Sequence, residues 1–495
     1  MEHFDMVMEE IGFGKVHLFA ILTLGLLQML TIHETMGMGI VGPASVCNLQ
    51  MTPMQLAALT AAAFEGIVCS SYLWGYITDK MGRRWTLLRT ISLSTVCSLS
   101  SMFMATFSGF FLMRFFTGIF VAGPSFVAVT YLSEFFPSRI LGHVVTHMYM
   151  FNGFAMIYCP AMASLFLNAN IMDFEVYILY SNLSLRPWRI LGCIFVLPGL
   201  LAFLLVLVMP ESPKFLFMIG DREKGLKVME WISQTNNKCA LTPDQIFELK
   251  QFQRYAQVKR QKSDKTIVRA MMTDAMPLFR KPYVRTVLAA CVVMFILGLI
   301  ANGVGIWYTA MRNRNHMRQG NLTDMSFCQI LFDLDLGPVL ETESDIKICN
   351  DDFKGFNDSF IMGFLNLLLY NICWLSFYIA PRRAIFIIAL LICATSGFIL
   401  IFATNPWVQL LACILFLSIP GVIISLLGGA LLENVPTYLR GRAMCICLMW
   451  ARCGAVVGTT VTAYFFETYC EAFLLALALL PFISLCIEGF LPFKR

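Results

Sequence analysis

The chain has 495 residues, 58% of them hydrophobic and only 14% charged, with a formal net charge of +5. Soluble domains carry about 25% charged residues, so this chain has too little polar surface to stay dissolved and belongs in a bilayer. Its weak positive balance gives no reason to expect a nucleic-acid partner. No metal-ligand spacing stands out among the seventeen cysteines, most of which lie in apolar runs where a thiol acts as a small hydrophobe.

Residues 1–15 hold Glu2, Asp5, Glu9 and Glu10 in place of a basic leader, and the apolar run behind them exceeds signal-peptide length, so no cleaved signal is expected. A membrane span needs roughly 20 apolar residues. Twelve such runs follow, at about 18–46, 54–77, 86–106, 109–132, 143–167, 189–209, 284–308, 359–380, 384–404, 407–432, 442–464 and 472–491. This predicts an all-α membrane protein of twelve transmembrane helices in two pseudo-symmetric six-helix bundles. The expected units are a first bundle over 1–209, a cytoplasmic linker with short helices over 210–283, and a second bundle over 284–495 with an outer loop at 309–358.

Basic residues orient the spans. Lys80, Arg83, Arg84 and Arg89, then Arg139, Arg382 and Arg383, Arg440 and Arg442, and finally Lys494 and Arg495 all fall on one side. The short connections near 47–53, 107–108, 405–406 and 465–471 carry none. Both termini are therefore expected in the cytoplasm, with the protein in the plasma membrane or an intracellular vesicle membrane. The opposite side holds the glycosylation acceptors Asn182, Asn321 and Asn357. It also holds Cys328 and Cys349, expected to pair as a disulfide in an oxidising space. The linker, with 14 Lys+Arg against 8 Asp+Glu over 210–282, shows helical pieces near 221–236 and 242–260, the second opened by Thr242.

Two stretches 299 residues apart share a pattern of acid, proline, glycine and base: Glu134-Phe-Phe-Pro137-Ser-Arg139-Ile-Leu-Gly142 and Glu433-Asn-Val-Pro436-Thr-Tyr-Leu-Arg440-Gly441. Such internal duplication of mostly apolar halves is the architecture of a secondary transporter, in which one half rocks against the other.

Between the second and third spans lies Gly75-Tyr-Ile-Thr-Asp79-Lys80-Met-Gly82-Arg83-Arg84. It resembles the signature loop of the major facilitator superfamily, and Arg114-Phe-Phe-Thr-Gly118-Ile-Phe-Val-Ala-Gly123 is similar to that superfamily's fourth-helix motif. Tyr131-Leu-Ser-Glu134, Pro187-Trp188-Arg189 and Pro210-Glu211-Ser212-Pro213-Lys214-Phe215-Leu216 are similar to the organic ion transporters and, more closely, to the synaptic vesicle glycoprotein 2 family. The resemblance implies the major facilitator fold and no enzymatic activity or cofactor. It also implies a conformational latch at Gly75, Asp79, Gly82, Arg83 and Arg84, to which the duplicated Glu134, Arg139, Glu433 and Arg440 are added. At the same offset the second half keeps only the basic pair, with Trp374, Tyr378 and Pro381 standing for Gly75, Asp79 and Gly82 and Arg382 and Arg383 for Arg83 and Arg84.

A charge near the bilayer centre costs roughly 2.5–3.5 kcal/mol on insertion scales, so each one demands a partner or a purpose. Four stand out: Glu34, Glu65, Arg114 and Arg452. At ~1.5 Å per residue, Glu34 lies ~24 Å above the start of its span and Arg114 ~8 Å below the outer start of its own, which predicts that they are neighbours. Arg452 has two readings: it faces a central cavity and attracts an anionic or polar substrate, or it pairs with Glu65 and ties the halves together. His33, His147, Asn152, Asn302, Asn366 and Asn371 add polar groups, and Tyr149, Tyr370 and Trp450 are candidate substrate contacts. The function expected is secondary-active transport of a small organic ion or polar metabolite by alternating access, with Glu34 or Glu65 as candidate proton carriers. The alternative is a non-transporting membrane protein that binds a regulatory partner. No nucleophile-base pair or nucleotide cradle points to an enzyme.

Overall fold

The computed structural model describes residues 2–168, 176–177, 184–237, 240–250, 276–308, 327–328, 356–435 and 437–491; the side chains of Glu433 and Arg440 fall outside this description, as do Asn182, Asn321 and Cys349.

A helix absent from the sequence-based expectation comes first. In α1 (Glu2–Ile11), Phe4, Val7, Met8 and Ile11 recur at helical spacing and are all buried, so the segment docks by one apolar stripe. The first membrane rod is broken, as α2 (Lys15–Thr35) and α3 (Met38–Leu49) meet at Met36 and Gly37, and Gly37 lies against the Phe195 ring. The next rod, α4 (Pro53–Met81), opens with a capping box: Thr52 Oγ1 accepts from the Gln55 amide and Gln55 Oε1 from the Thr52 amide. Then come α5 (Arg83–Met102) and α6 (Phe107–Ser133). The fifth rod breaks at Met150 into α7 (Leu141–Tyr149) and α8 (Phe151–Phe166). A two-residue antiparallel pair, β1 (Val176–Tyr177) with β2 (Ser184–Leu185), precedes the sixth rod, α9 (Pro187–Ile194) and α10 (Leu197–Val208).

Two short helices follow, α11 (Pro213–Ile219) and α12 (Arg222–Asn237). A further piece opens with the predicted cap, since Thr242 and Gln245 exchange the two bonds of a capping box. The second bundle begins with α13 (Val284–Gly298), which runs into a π-helical turn over Leu299–Val304. It continues with α14 (Phe356–Ser376), α15 (Arg382–Phe402), α16 (Pro406–Asn434), α17 (Thr437–Thr468) and α18 (Cys470–Ile487).

Ten of these rods are long and apolar enough to cross a membrane among the described residues. The other two are the broken α7–α8 rod and α5, which is dense in Ser and Thr. In α5 the hydroxyls of Thr86, Thr90 and Ser92 donate to carbonyls four residues earlier, which lets a polar helix carry its own hydrogen bonds.

Glycines set the closest helix contact. A Cβ at Gly118 of α6 would run into the Ala63 carbonyl of α4, and one at Gly66 of α4 into the Phe115 carbonyl of α6, so only glycine lets these backbones touch. The bundles meet along three seams: α4 with α17, α7 with α16, and α8 with α14.

One expectation is corrected. Cys328 pairs with Cys470, 142 residues away at the start of α18, and not with Cys349. Proximity in sequence is a poor guide where helix packing brings distant ends together.

Candidate functional site

Glu34 and Arg114 are in contact. The Arg114 Nη1 lies 2.8 Å from Glu34 Oε2, and both residues are 2% exposed. Ser98 of α5 completes the group: its hydroxyl donates to the same carboxylate oxygen at 2.9 Å and accepts from Arg114 at 3.3 Å. The Arg114 guanidinium also donates to the Glu34 carbonyl. Three helices are thus joined around one neutralised charge pair, the arrangement a buried ion pair needs to offset its desolvation.

Arg452 of α17 is differently placed. It is half-buried between the two bundles. Its Nη2 donates to the Ser125 hydroxyl of α6 at 3.4 Å, and its guanidinium carbon sits 5.7 Å from the centre of the Phe64 ring of α4. Residues of the first bundle therefore surround a cation of the second. Tyr149 interacts electrostatically with Arg452 and with Tyr370. The Tyr370 hydroxyl accepts from Asn152 Nδ2 at 3.4 Å. Asn152 of α8 and Tyr370 of α14 thus bond across the bundle interface.

Other expected contacts lie elsewhere. Trp450 is 42% exposed and packs edge-on against Phe295 at 6.2 Å, turned away from Arg452 because two residues on a helix are about 200° apart. Asn302 lies in the π-helical turn, half-buried, beside Gly303, whose Cβ would meet the Gly458 backbone of α17. Glu65 is half-buried and forms no ion pair with Arg452, which removes the static tether reading. His33 Nδ1 donates to the Phe195 carbonyl at 3.1 Å, and the ring stacks on Tyr158 at 4.9 Å, a packed histidine.

At one end of the molecule the signature loop builds a charge cluster. Gly82 has φ of 102°, and a Cβ there would lie 2.5 Å from the Glu211 carboxylate, so a side chain is excluded by conformation and by space. Glu211 accepts from the amides of Arg83 and Arg84 at 2.8 and 3.0 Å and so caps the N-terminus of α5. Arg83 pairs with Asp79 at 3.2 Å and with Glu134 at 2.9 Å. Burial pushes the Glu134 carboxyl above the usual carboxylate range, with Arg83 pulling the other way. Arg84 donates to the carbonyls of Val206 and Leu207 at the end of α10.

This cluster reaches across to the second bundle. Asp79 lies 3.6 Å from the Arg442 Nε of α17, and Gly75 faces the Cys445 thiol. The Arg382 guanidinium lies against Gly142, while His147 meets Trp374 edge-on at 5.3 Å. Arg139 is exposed in its turn and holds none of these bonds among the described residues. Glu211, Arg442 and Arg382 join this end of the molecule without having been expected there from sequence. Glu211 lay in a quoted motif, but its 128-residue separation from Arg83 hides the contact in sequence. The second half has its own version, in which Arg383 pairs with Glu488 just after α18, as Glu211 follows α10.

At the opposite end, Met36 and Ile40 face Ala301, Gly305 and Tyr308 around a cavity of about 40 Å³. Space on that scale holds water and no organic solute. Asn357 is exposed in the first turn of α14, with Ser359 buried beside it.

The family model described as sugar (and other) transporter matches residues 31–323, more than half of the chain. The chain belongs to that family. Rat synaptic vesicle glycoprotein 2A is 23% identical over 248 residues, 50% of this transporter-family chain and 33% of the relative. Human synaptic vesicle glycoprotein 2B is 21% identical over 323 residues, 62% of this chain and 47% of the relative. The chain thus matches only a third to about half the length of these curated relatives. Among solved structures, the proton:xylose symporter XylE of E. coli has a TM-score of 0.67 at 17% identity, covering 96% of this chain and 94% of its own. Such identity speaks for the fold alone: two six-helix bundles of the major facilitator type. Over the matched stretches this multi-pass membrane protein is similar to the synaptic vesicle glycoproteins 2A and 2B.

Proposed function

We propose that this protein is a secondary-active transporter that moves a small organic ion or polar metabolite by alternating access. The observation that carries the reading is Arg452, a half-buried cation of the second bundle set against Ser125 and Phe64 of the first. Tyr149, Asn152, Asn302 and Tyr370 are its proposed neighbours in substrate contact. The division into 1–209, 210–283 and 284–495 follows, with the latch end in the cytoplasm together with both termini. Gly75, Asp79, Gly82, Arg83, Arg84 and Glu134, joined by Arg442, hold that end shut while the opposite end opens. Of the two carboxylates proposed to carry a proton, Glu34 is enclosed by Arg114 and Ser98, whereas Glu65 is half-buried without an ion pair and is the better candidate.

The test is solute flux into proteoliposomes. Uptake by the wild-type protein that is abolished in Arg452→Ala supports transport through the centre. Absence of flux for every solute class, together with a stable complex with a protein partner, would favour a non-transporting role.

A further inference from the structure

Resting on the latch part of that reading, we infer that α1 is a removable clasp: docked, it keeps the latch end shut, and swung away about Gly12 it lets the two bundles part there. The clasp joins the latch through charge. Asp5 of α1 lies 3.6 Å from the Lys214 ammonium at the start of α11, and the Phe4 ring of α1 is centred 4.6 Å from the same group. Lys214 is 2% exposed, shut in beneath this helix. Lys214 and Arg83 both act electrostatically on Glu134. Glu134 pairs with Arg83 at 2.9 Å, Arg83 with Asp79 at 3.2 Å, and Asp79 with Arg442 of the second bundle at 3.6 Å. Acid and base thus alternate from Asp5 of α1, through Lys214, Glu134, Arg83 and Asp79, to Arg442 of α17.

The helix is also built to leave as a unit. Gly12 has φ of 69°, a left-handed conformation that ends α1. Two residues on, Gly14 has no room for a side chain, since a Cβ would lie 2.5 Å from Asn236 of α12. Beyond this glycine joint the chain is pinned. Asn236 Oδ1 accepts from the Val16 amide at 3.0 Å, and His17 Nε2 donates to the carbonyl of Phe135, the neighbour of Glu134, at 3.0 Å. His17 Nδ1 accepts from the Gly14 amide at 3.2 Å, which fixes the tautomer that makes the Phe135 bond. The start of α2 is therefore the fixed point, while α1 is held by its apolar stripe against α12, by Asp5 and by a solvent-exposed bond from Gln245 to Glu10 at 2.8 Å. A helix of 10 residues has little stability of its own, so it keeps its shape by staying docked. Segments of such low local stability are the first to open. Opening uncovers Lys214, and water then screens this cation from Glu134 and slackens the charges beyond it.

The experiment uses the full chain in lipid nanodiscs and takes two readings: amide hydrogen exchange over α1, and labelling of the buried Cys445 thiol at the bundle seam by a membrane-impermeant maleimide. Met8→Asp breaks the buried stripe without touching the charges, and Asp5→Asn breaks the charge link with almost no change of shape. Both are expected to speed exchange over α1. Cys445 labelling should rise at least about fivefold in Met8→Asp, the low end of coupling between two sites, and by a smaller factor in Asp5→Asn. Asp79→Asn, which cuts the bridge to Arg442 directly, is the control. If it raises labelling while the α1 variants exchange freely and label as the wild type does, the clasp is overturned and the latch stands. If α1 exchanges freely and none of the three variants raises labelling, the latch reading falls and the clasp with it. Free exchange over α1 in the wild-type protein also overturns the clasp. Asp5→Asn keeps the test in force if Met8→Asp fails to fold.

Discussion

Asp79 of α4 and Arg442 of α17 face each other across the two bundles at 3.6 Å, while the same Asp79 carboxylate holds Arg83 at 3.2 Å. One acid is thus shared between the latch within the first bundle and the bridge to the second. The bridge is long and partly exposed, so alone it contributes about 0–1 kcal/mol, enough to shift the balance between two conformers without unfolding either.

Asp79→Asn is expected to loosen this end and expose the buried Cys445 thiol that lies against Gly75. Labelling of Cys445 by a membrane-impermeant maleimide, located by mass spectrometry, should rise several-fold over the wild type. Unchanged labelling would argue that the bridge does not hold the seam.

Removing one member of the Glu34–Arg114 pair strands the other without its counter-charge. Arg114→Ala is expected to cost about 3–5 kcal/mol, against a smaller loss for Arg114→Gln combined with Glu34→Gln. Thermal unfolding in detergent reads the difference, and equal losses in the two variants would show that the pair's charge is irrelevant.

Glu134 gives a pH test outside the membrane spans. Burial raises its folded-state pKa above the unfolded value, with Arg83 opposing. The stability it contributes is therefore complete below the unfolded carboxylate range and is lost as pH rises through the raised value. Relative to Glu134→Gln, which cannot titrate, the wild-type protein should gain stability on acidification. Melting curves of the two proteins from neutral to mildly acid pH check this, and parallel curves would refute it.

Gly66 and Gly118 bring α4 and α6 into backbone contact. Gly118→Val is expected to cost at least about 1–3 kcal/mol by forcing that contact apart. A melting temperature matching the wild type would mean that the helices have room to separate.

The sequence made the rods legible because apolar length is a strong signal, and it brought Glu34 to Arg114 because equal depth in a fixed slab constrains partners. The breaks at Gly37 and Met150 were not legible, since each lies within a single span-length run and no proline marks it. The docked helix α1 is hard to read from sequence because acidic residues interleave its short stripe of Phe4, Val7, Met8 and Ile11. Residue type alone does not separate Trp450, which turns away from Arg452, from Tyr149 and Tyr370. Only the helix phase decides which aromatic turns inward. The Cys328 partner and the Glu211 cap depend on folding over more than a hundred residues, which no local pattern encodes.

The cystine between Cys328 and Cys470 anchors the stretch between α13 and α14 to the first residue of α18, so both ends of that strap belong to the same bundle. Reducing that bond would release the N-terminus of α18 from this tie.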